Sequence, residues 1–252
     1  MAKKLIAFDL DGTLAESKSA LPDKMSDLIT ELLEKYQVCV ISGGKFGQFE
    51  KQLLDNLKAD SGLLNRLHLM PTCGTRYFTY DNVAGEWHMN YAEDFSEDEK
   101  QQIVSALEQG IDELGLREAE PWGDLIEDRG SQITFSALGQ EAPVDAKESW
   151  DHDNKKKFAL RDVVAAKIPD FEVRAGGSTS IDVTKLGIDK AYGMRKIMEL
   201  VGVDKQEILF IGDRLEEGGN DYPVKAMGID SIAVTKWQDT ALVIETLNKV
   251  AN

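Results

Sequence analysis

Leu5-Ile-Ala-Phe-Asp-Leu-Asp-Gly-Thr-Leu14 is the stretch on which the reading of this chain turns. An apolar run ending in two carboxylates one residue apart, then Gly-Thr, predicts a strand that delivers Asp9 and Asp11 to its carboxyl end. In a parallel α/β sheet that end is where ligands bind. Two aspartates on one face repel each other unless a cation lies between them, which points to a hard divalent metal, Mg²⁺. Mg²⁺ held by few carboxylates keeps positions open for phosphate oxygens, so the chemistry implied is phosphoryl transfer. Asp and Gly are also ordinary turn residues, and the motif gains weight only from its company along the chain.

Working outward, residues 1–80 alternate apolar strands with amphipathic helices. Met25, Leu28, Leu32 and Leu33 fall at helical spacing, Val38–Ile41 is a β-branched strand, a helix spans about Phe46–Leu57, and Leu67–Met70 is a third strand. Such alternation with short connections predicts a parallel sheet wound by helices, a Rossmann-like α/β core. The middle of the chain reads differently. Arg76–Tyr80 and Glu86–Met89 flank a hairpin turn, Ser96–Glu99 is a capping-box start for a helix to about Leu114, and strands follow at Leu125–Ile126, Gln132–Ala137, Phe171–Arg174 and Thr179–Val183, with a helix over Asn154–Ala166. The βα rhythm resumes after Gly187 with a helix, strand Ile208–Ile211, strand Ser231–Thr235 and a closing helix. The expected organisation is a discontinuous core, residues 1–83 and 186–252, with an α+β domain inserted at 84–185.

With 252 residues the chain is long enough for a substantial buried core. Its formal charge of −16 argues against nucleic acid as a partner, because phosphate backbones bind basic faces. A phosphorylated small molecule remains compatible, since a metal and a few local cations invert the field inside a pocket. Cys39 and Cys73 read as free thiols, and with the first strand starting at Leu5 no signal peptide is expected. No apolar stretch has membrane-spanning length. A cytoplasmic protein that binds no membrane is expected. The tryptophans and histidines form no recognisable pattern and read as packing or surface residues.

Three further segments join Asp9 and Asp11. Ser42 ends the second strand and precedes Gly43 and Gly44, where a hydroxyl and close-approaching backbone N–H groups suit a phosphoryl oxygen. Lys190 stands at a helix amino end, where the dipole disfavours a cation unless it answers a nearby negative charge. Asp213 ends the buried strand Ile-Leu-Phe-Ile-Gly, placed to complete the metal site, and Asn220 and Asp221 follow, placed to orient the metal's waters or anchor Lys190. As solvated turn and surface residues, Ser42 and Lys190 taken singly would need no functional explanation.

In this order the segments resemble the signature set of the haloacid dehalogenase superfamily. The resemblance implies that Asp9 is a nucleophile forming an aspartyl-phosphate and that Asp11 is the general acid/base. It further implies that Asp9, the Asp11 carbonyl and Asp213 bind Mg²⁺, and that Ser42 and Lys190 hold the transferring group. Within the superfamily, Arg174–Val183, Gly187–Lys190 and Gly212–Asp221 look like the eukaryotic-type α-phosphomannomutases. By that resemblance Ser180 and Asp182 contact sugar hydroxyls and Arg129 grips the distal phosphate. Family arginines fall here on Lys18, Gln140 and Lys147, so charge is kept at most of these positions and the bidentate fork at one. The expectation is a hexose-phosphate mutase with a small phosphorylated sugar as partner, the inserted domain allowing a homodimer. A sugar-phosphate phosphatase using the same residues is the alternative; a catalytically silent sugar-phosphate sensor is the third.

Overall fold

A computed structural model describes residues 2–250. The strands in chain order are β1 (Leu5–Phe8), β2 (Gln37–Ile41), β3 (Leu67–Met70), β4 (Arg76–Asp81), β5 (Glu86–Ala92), β6 (Ile126–Asp128), β7 (Gln132–Ser136), β8 (Phe171–Ala175), β9 (Ser180–Lys185), β10 (Ile208–Gly212) and β11 (Asp230–Ala233). The helices are α1 (Asp23–Lys35), α2 (Phe46–Gln52), α3 (Ser61–Leu64), α4 (Glu97–Glu113), α5 (Val144–Trp150), α6 (Lys155–Lys167), α7 (Lys190–Val201), α8 (Tyr222–Ala226) and α9 (Trp237–Val250). The chain divides into two compact units, one up to Ala92 and from Asp189 onward, the other Glu93–Ile188. Among the described residues no helix is long and apolar enough to cross a membrane, and Cys39 and Cys73 are free thiols.

The first unit is a seven-stranded sheet in the order β11-β10-β1-β2-β3-β4-β5. β11 through β3 run parallel, and β4 and β5 add an antiparallel edge. Both faces of β1 are covered. Ile6 and Phe8 pack with Met25, Ile29 and Leu32 of α1 and Ile244 of α9. Leu5 and Ala7 pack with Met194 and Ile197 of α7 and Val224 of α8. A strand buried on both sides has no polar face, hence the unbroken apolar run before Asp9. β5 differs from the sequence reading, which starts the insertion at residue 84. It pairs with β4 and closes the first unit's sheet, so the second unit begins at Glu93.

Helix α7 lies against the turn Thr72–Gly74 through two glycines. A Cβ at Gly193 would come within 2.7 Å of the Cys73 carbonyl, and one at Gly74 within 2.4 Å of the Gly193 Cα. Lys190 therefore sits at the head of a helix whose seat is backbone on backbone.

The second unit is a four-stranded antiparallel sheet, β6-β7-β9-β8. Ile133, Phe135, Ile181 and Val183 face a core shared with Ile103 and Leu107 of α4 and Leu160 and Val164 of α6. Strand alternation puts Gln132, Thr134, Ser136, Ser180, Asp182 and Thr184 on the other face. Ser96 and Glu99 form the capping box that starts α4.

His68 on β3 is a buried, satisfied histidine, with Nδ1 at 2.8 Å from the Tyr77 hydroxyl and Nε2 at 2.9 Å from Gln37 Oε1. Burial pushes its imidazole down from 6.5 to about 4. Below pH 6.5 the unfolded chain takes up a proton that the folded chain refuses. Stability is therefore expected to fall by up to about 3 kcal/mol as pH drops from 6.5 to about 4. Denaturant midpoints measured across that window for the wild type and His68→Asn check this. Equal slopes for the two chains would rule the histidine out.

Candidate active site

β1 ends at Phe8, and the Asp9 amide is fixed by donation to Ile211 O of the neighbouring β10 at 3.0 Å. Asp9 is 4% exposed. The 1% exposed Lys190 reaches it from the first turn of α7, with Nζ at 2.5 Å from Asp9 Oδ1 and 2.6 Å from Asp221 Oδ1. This answers the sequence anomaly: the lysine bridges two buried carboxylates. Burial alone would depress its ammonium, but Asp9 and Asp221 more than offset that and hold it charged. The Asp9 carboxyl is driven up by burial first, with Lys190 opposing and Asp221 and Asp213 adding to the rise. Asp213 is raised for the same leading reason, burial, followed by the charge of Asp221.

Asp9, Asp213 and Asp221 present carboxylate oxygens within 4.8 Å of one another. Asp213 Oδ1 is buried and has no hydrogen-bond partner among the described residues. Three carboxylates against one ammonium leave two negative charges uncompensated, the charge of one divalent cation. An all-oxygen donor set with an orphaned carboxylate oxygen fits Mg²⁺. Glycines make room for it. Gly12 has φ +81°, and a Cβ there would lie 2.5 Å from Asp213 Oδ2; at Gly212 a Cβ would lie 2.4 Å from Asp221 Oδ2.

One expectation needs correction. The Asp9–Asp11 pairing points to a cation between the two side chains, but the Asp11 carboxylate is no part of the three-acid cluster; the ligand the resemblance implies is the backbone carbonyl of Asp11. Its Oδ1 accepts from the Lys18 amide at 2.7 Å and from Gln52 Nε2 at 3.1 Å, and its Oδ2 accepts from Gln48 Nε2 at 2.7 Å. The reason is local. The strand stops at Phe8 and the chain turns through Leu10–Ala15, with Gly12 in the left-handed region, so strand alternation no longer sets where Asp11 points. Asp221, placed by the sequence to orient the metal's waters or anchor Lys190, is wholly buried in the cluster, where its Oδ1 accepts from Lys190 Nζ at 2.6 Å and its Oδ2 from the Arg214 amide at 3.0 Å. Asn220, expected beside it, is exposed.

Ser42 is buried at the end of β2, and its Oγ accepts from the Gly44 amide at 3.2 Å. Gly43 and Gly44 lead into α2. The Lys18 side chain is exposed, and its backbone supplies the contact to Asp11. In the second unit Asp182 Oδ1 accepts from the Thr134 hydroxyl at 2.7 Å, and Ser180 stands on the same sheet face. A Cβ at Gly176 would be 2.7 Å from Ser180 Oγ and 2.8 Å from Asp182 Oδ2, so that glycine lets the loop close over the pair. Arg129 Nε donates to Glu127 Oε2 at 2.7 Å. Lys147 Nζ donates to the Gln140 carbonyl at 3.2 Å, and the Gln140 side-chain nitrogen is buried with no partner among the described residues.

Gln48 and Gln52 were not singled out from the sequence. Their spacing of four on α2 was the available signal, but amides carry no chemistry that would draw attention to it.

The fold recurs in solved structures. An N-terminally truncated, IMP-bound IMP-nucleotidase from Plasmodium falciparum matches with TM-score 0.70 at 17% identity, over 99% of this chain and 69% of its own. A haloacid dehalogenase-like hydrolase from Bacteroides thetaiotaomicron matches with TM-score 0.61 at 16% identity, over 97% and 99%. These likenesses show the fold, the α/β fold of the haloacid dehalogenase-like proteins. The family model of the eukaryotic phosphomannomutases matches residues 25–249, and the chain belongs to that family. Relatives include the phosphomannomutases of Encephalitozoon cuniculi, 28% identical over 231 residues (88% of this chain, 84% of the relative), and Schizosaccharomyces pombe, 26% identical over 237 residues (88% and 85%). The protein is thus a phosphotransferase of the haloacid dehalogenase superfamily.

Proposed function

We propose that this chain interconverts mannose 1-phosphate and mannose 6-phosphate through a phosphorylated Asp9. The observation that carries the reading is Lys190 held between Asp9 and Asp221, beside the orphaned oxygen of Asp213. Asp9 and Asp213, with the Asp11 carbonyl, would hold Mg²⁺, and Asp221 would anchor Lys190 beside them. When bound, the ion disperses charge on the transferring phosphoryl group and brings its oxygens to Asp9.

Phospho-Asp9 donates to the free hydroxyl of the sugar phosphate as Asp11 takes the hydroxyl proton, giving a hexose bisphosphate and a free carboxylate. The bisphosphate turns over in the site. Asp9 then attacks the other phosphorus, the phosphorus–sugar oxygen bond breaks, and Asp11 returns the proton to the departing oxygen. Lys190 and Ser42 hold the phosphoryl oxygens throughout. Ser180 and Asp182 contact sugar hydroxyls, with Arg129, Gln140, Lys147 and Lys18 serving the distal group. The net charge of −16 disfavours a nucleic-acid partner, while these local cations keep a small anionic substrate compatible with it. Cytoplasmic location and a homodimer through the inserted unit belong to the same proposal.

A second reading has its own observation. At the positions assigned to the distal phosphate, Gln140 is neutral and Lys147 donates to a backbone carbonyl, which favours a phosphatase in which water attacks phospho-Asp9. Phosphorus NMR of mannose 1-phosphate with Mg²⁺, with and without a trace of hexose bisphosphate, decides. Mannose 6-phosphate supports the mutase; inorganic phosphate alone supports hydrolysis and overturns it. Arg129→Ala is expected to raise KM for hexose phosphates about tenfold or more while leaving KM for p-nitrophenyl phosphate near wild type. Equal effects in parallel steady-state assays would remove Arg129 from the distal site.

A further inference from the structure

We propose that Gln48, braced by Gln52, is a positioning residue that aims the one free lone pair of Asp11 at the reacting oxygen; this rests on the acid/base reading of Asp11. An ionised carboxylate offers about four lone-pair sites. Three donors occupy this one: the Lys18 amide and Gln52 Nε2 on Oδ1, and Gln48 Nε2 on Oδ2. The remaining site, on Oδ2, is where a proton can be exchanged. With both oxygens bonded, the carboxylate cannot rotate about its Cβ–Cγ bond without breaking at least one contact, so the direction of that site is set.

The brace is built for rigidity. Gln48 Nε2 also lies 2.5 Å from Gln52 Oε1, and Gln52 Nε2 donates to Ser19 O at 3.0 Å. Gln52 is 4% exposed, and its backbone carbonyl accepts from the Leu21 amide at 2.7 Å. A buried amide satisfied at both ends keeps its conformation, because any other leaves it unpaired in apolar surroundings. Gln48 Oε1 fills the space over Gly44, where a Cβ would be 2.1 Å away. One residue therefore touches both the Ser42–Gly44 loop and Asp11.

The test separates steps that need a proton from steps that do not. p-Nitrophenolate leaves unprotonated, so the single-turnover burst from p-nitrophenyl phosphate reports Asp9 phosphorylation without calling on Asp11. A hexose phosphate demands the proton. Gln48→Met and Gln48→Glu, in the full chain with Mg²⁺, are expected to lower kcat on the hexose phosphate about 10- to 100-fold. KM should hold within about twofold, and the burst rate should be near wild type. Gln48→Glu keeps the side-chain shape and decides the matter should the methionine variant melt early. If both variants slow the burst and the hexose-phosphate turnover equally, or slow neither, while Asp11→Asn is inactive on the sugar, the positioning role is wrong and Asp11 keeps its own. If Asp11→Asn turns over normally, the acid/base reading fails and the positioning role falls with it.

Discussion

Asp9→Asn is expected to reduce turnover by about four orders of magnitude or more, the scale on which removal of a covalent nucleophile acts. An amide occupies the same volume, cannot attack phosphorus and forms no acyl-phosphate. The fold should survive. The substitution removes one of three crowded carboxylates from a site where Lys190 retains Asp221 as a partner, so repulsion with Asp213 and Asp221 is relieved. A melting temperature within a few degrees of wild type, together with loss of trapped phosphoenzyme, is the expected pair of results. Turnover near the wild-type rate would refute the nucleophile assignment.

Lys190→Met combines two losses. It removes the only ammonium contacting both Asp9 and Asp221 among the described residues, leaving buried carboxylates to face each other. Breaking a buried pair by deleting one partner costs roughly 3–5 kcal/mol, because the remaining charge stays desolvated. For a chain of this size that corresponds to a fall in Tm on the order of 10 °C. Activity should fall as well, since the charge that stabilises the transferring phosphoryl group is gone. The companion variant tells the causes apart: adding Asp221→Asn should recover part of the stability and none of the turnover. Calorimetry and steady-state assays on the two variants suffice. An unchanged Tm for Lys190→Met would mean that its neighbours do not depend on it.

Much of this was legible in the residues, for physical reasons. β2 and β3 declare themselves because strands buried on both faces are nearly all apolar, His68 being admitted in β3 by its two hydrogen-bond partners. Helix α4 announces its start because Ser96 and Glu99 satisfy each other's backbone donors. The hairpin of β4 with β5 was legible, but the expected boundary at 84 leaves β5 outside the first unit because Glu86, His88 and Asn90 are exposed edge residues, whose sequence does not name the sheet they belong to. Helices α3, α5 and α8 went unread because elements of four to seven residues are too short for a 3.6-residue period to show. The sequence left two roles open for Asp221, orienting the metal's waters or anchoring Lys190, because it follows Asp213 through a loop, where spacing says nothing about distance; the 2.6 Å contact is from Lys190 to Asp221. Its membership in the cluster depends on Gly212 and Gly219, since a Cβ at Gly219 would lie 2.1 Å from the Arg214 carbonyl.

The strand order carries a consequence for synthesis. β1 lies between β2 and β10, so one of its edges stays open until residue 212 has left the ribosome. Lys190, Asp213 and Asp221 all follow the inserted unit, so a growing chain carries Asp9 without the lysine that neutralises it or the acids that complete its cluster. An interrupted translation product ending before β10 would be catalytically inert and would expose a central hydrophobic strand to mispairing. Chaperone demand should peak late, in the interval between completion of the insert and arrival of the tenth strand.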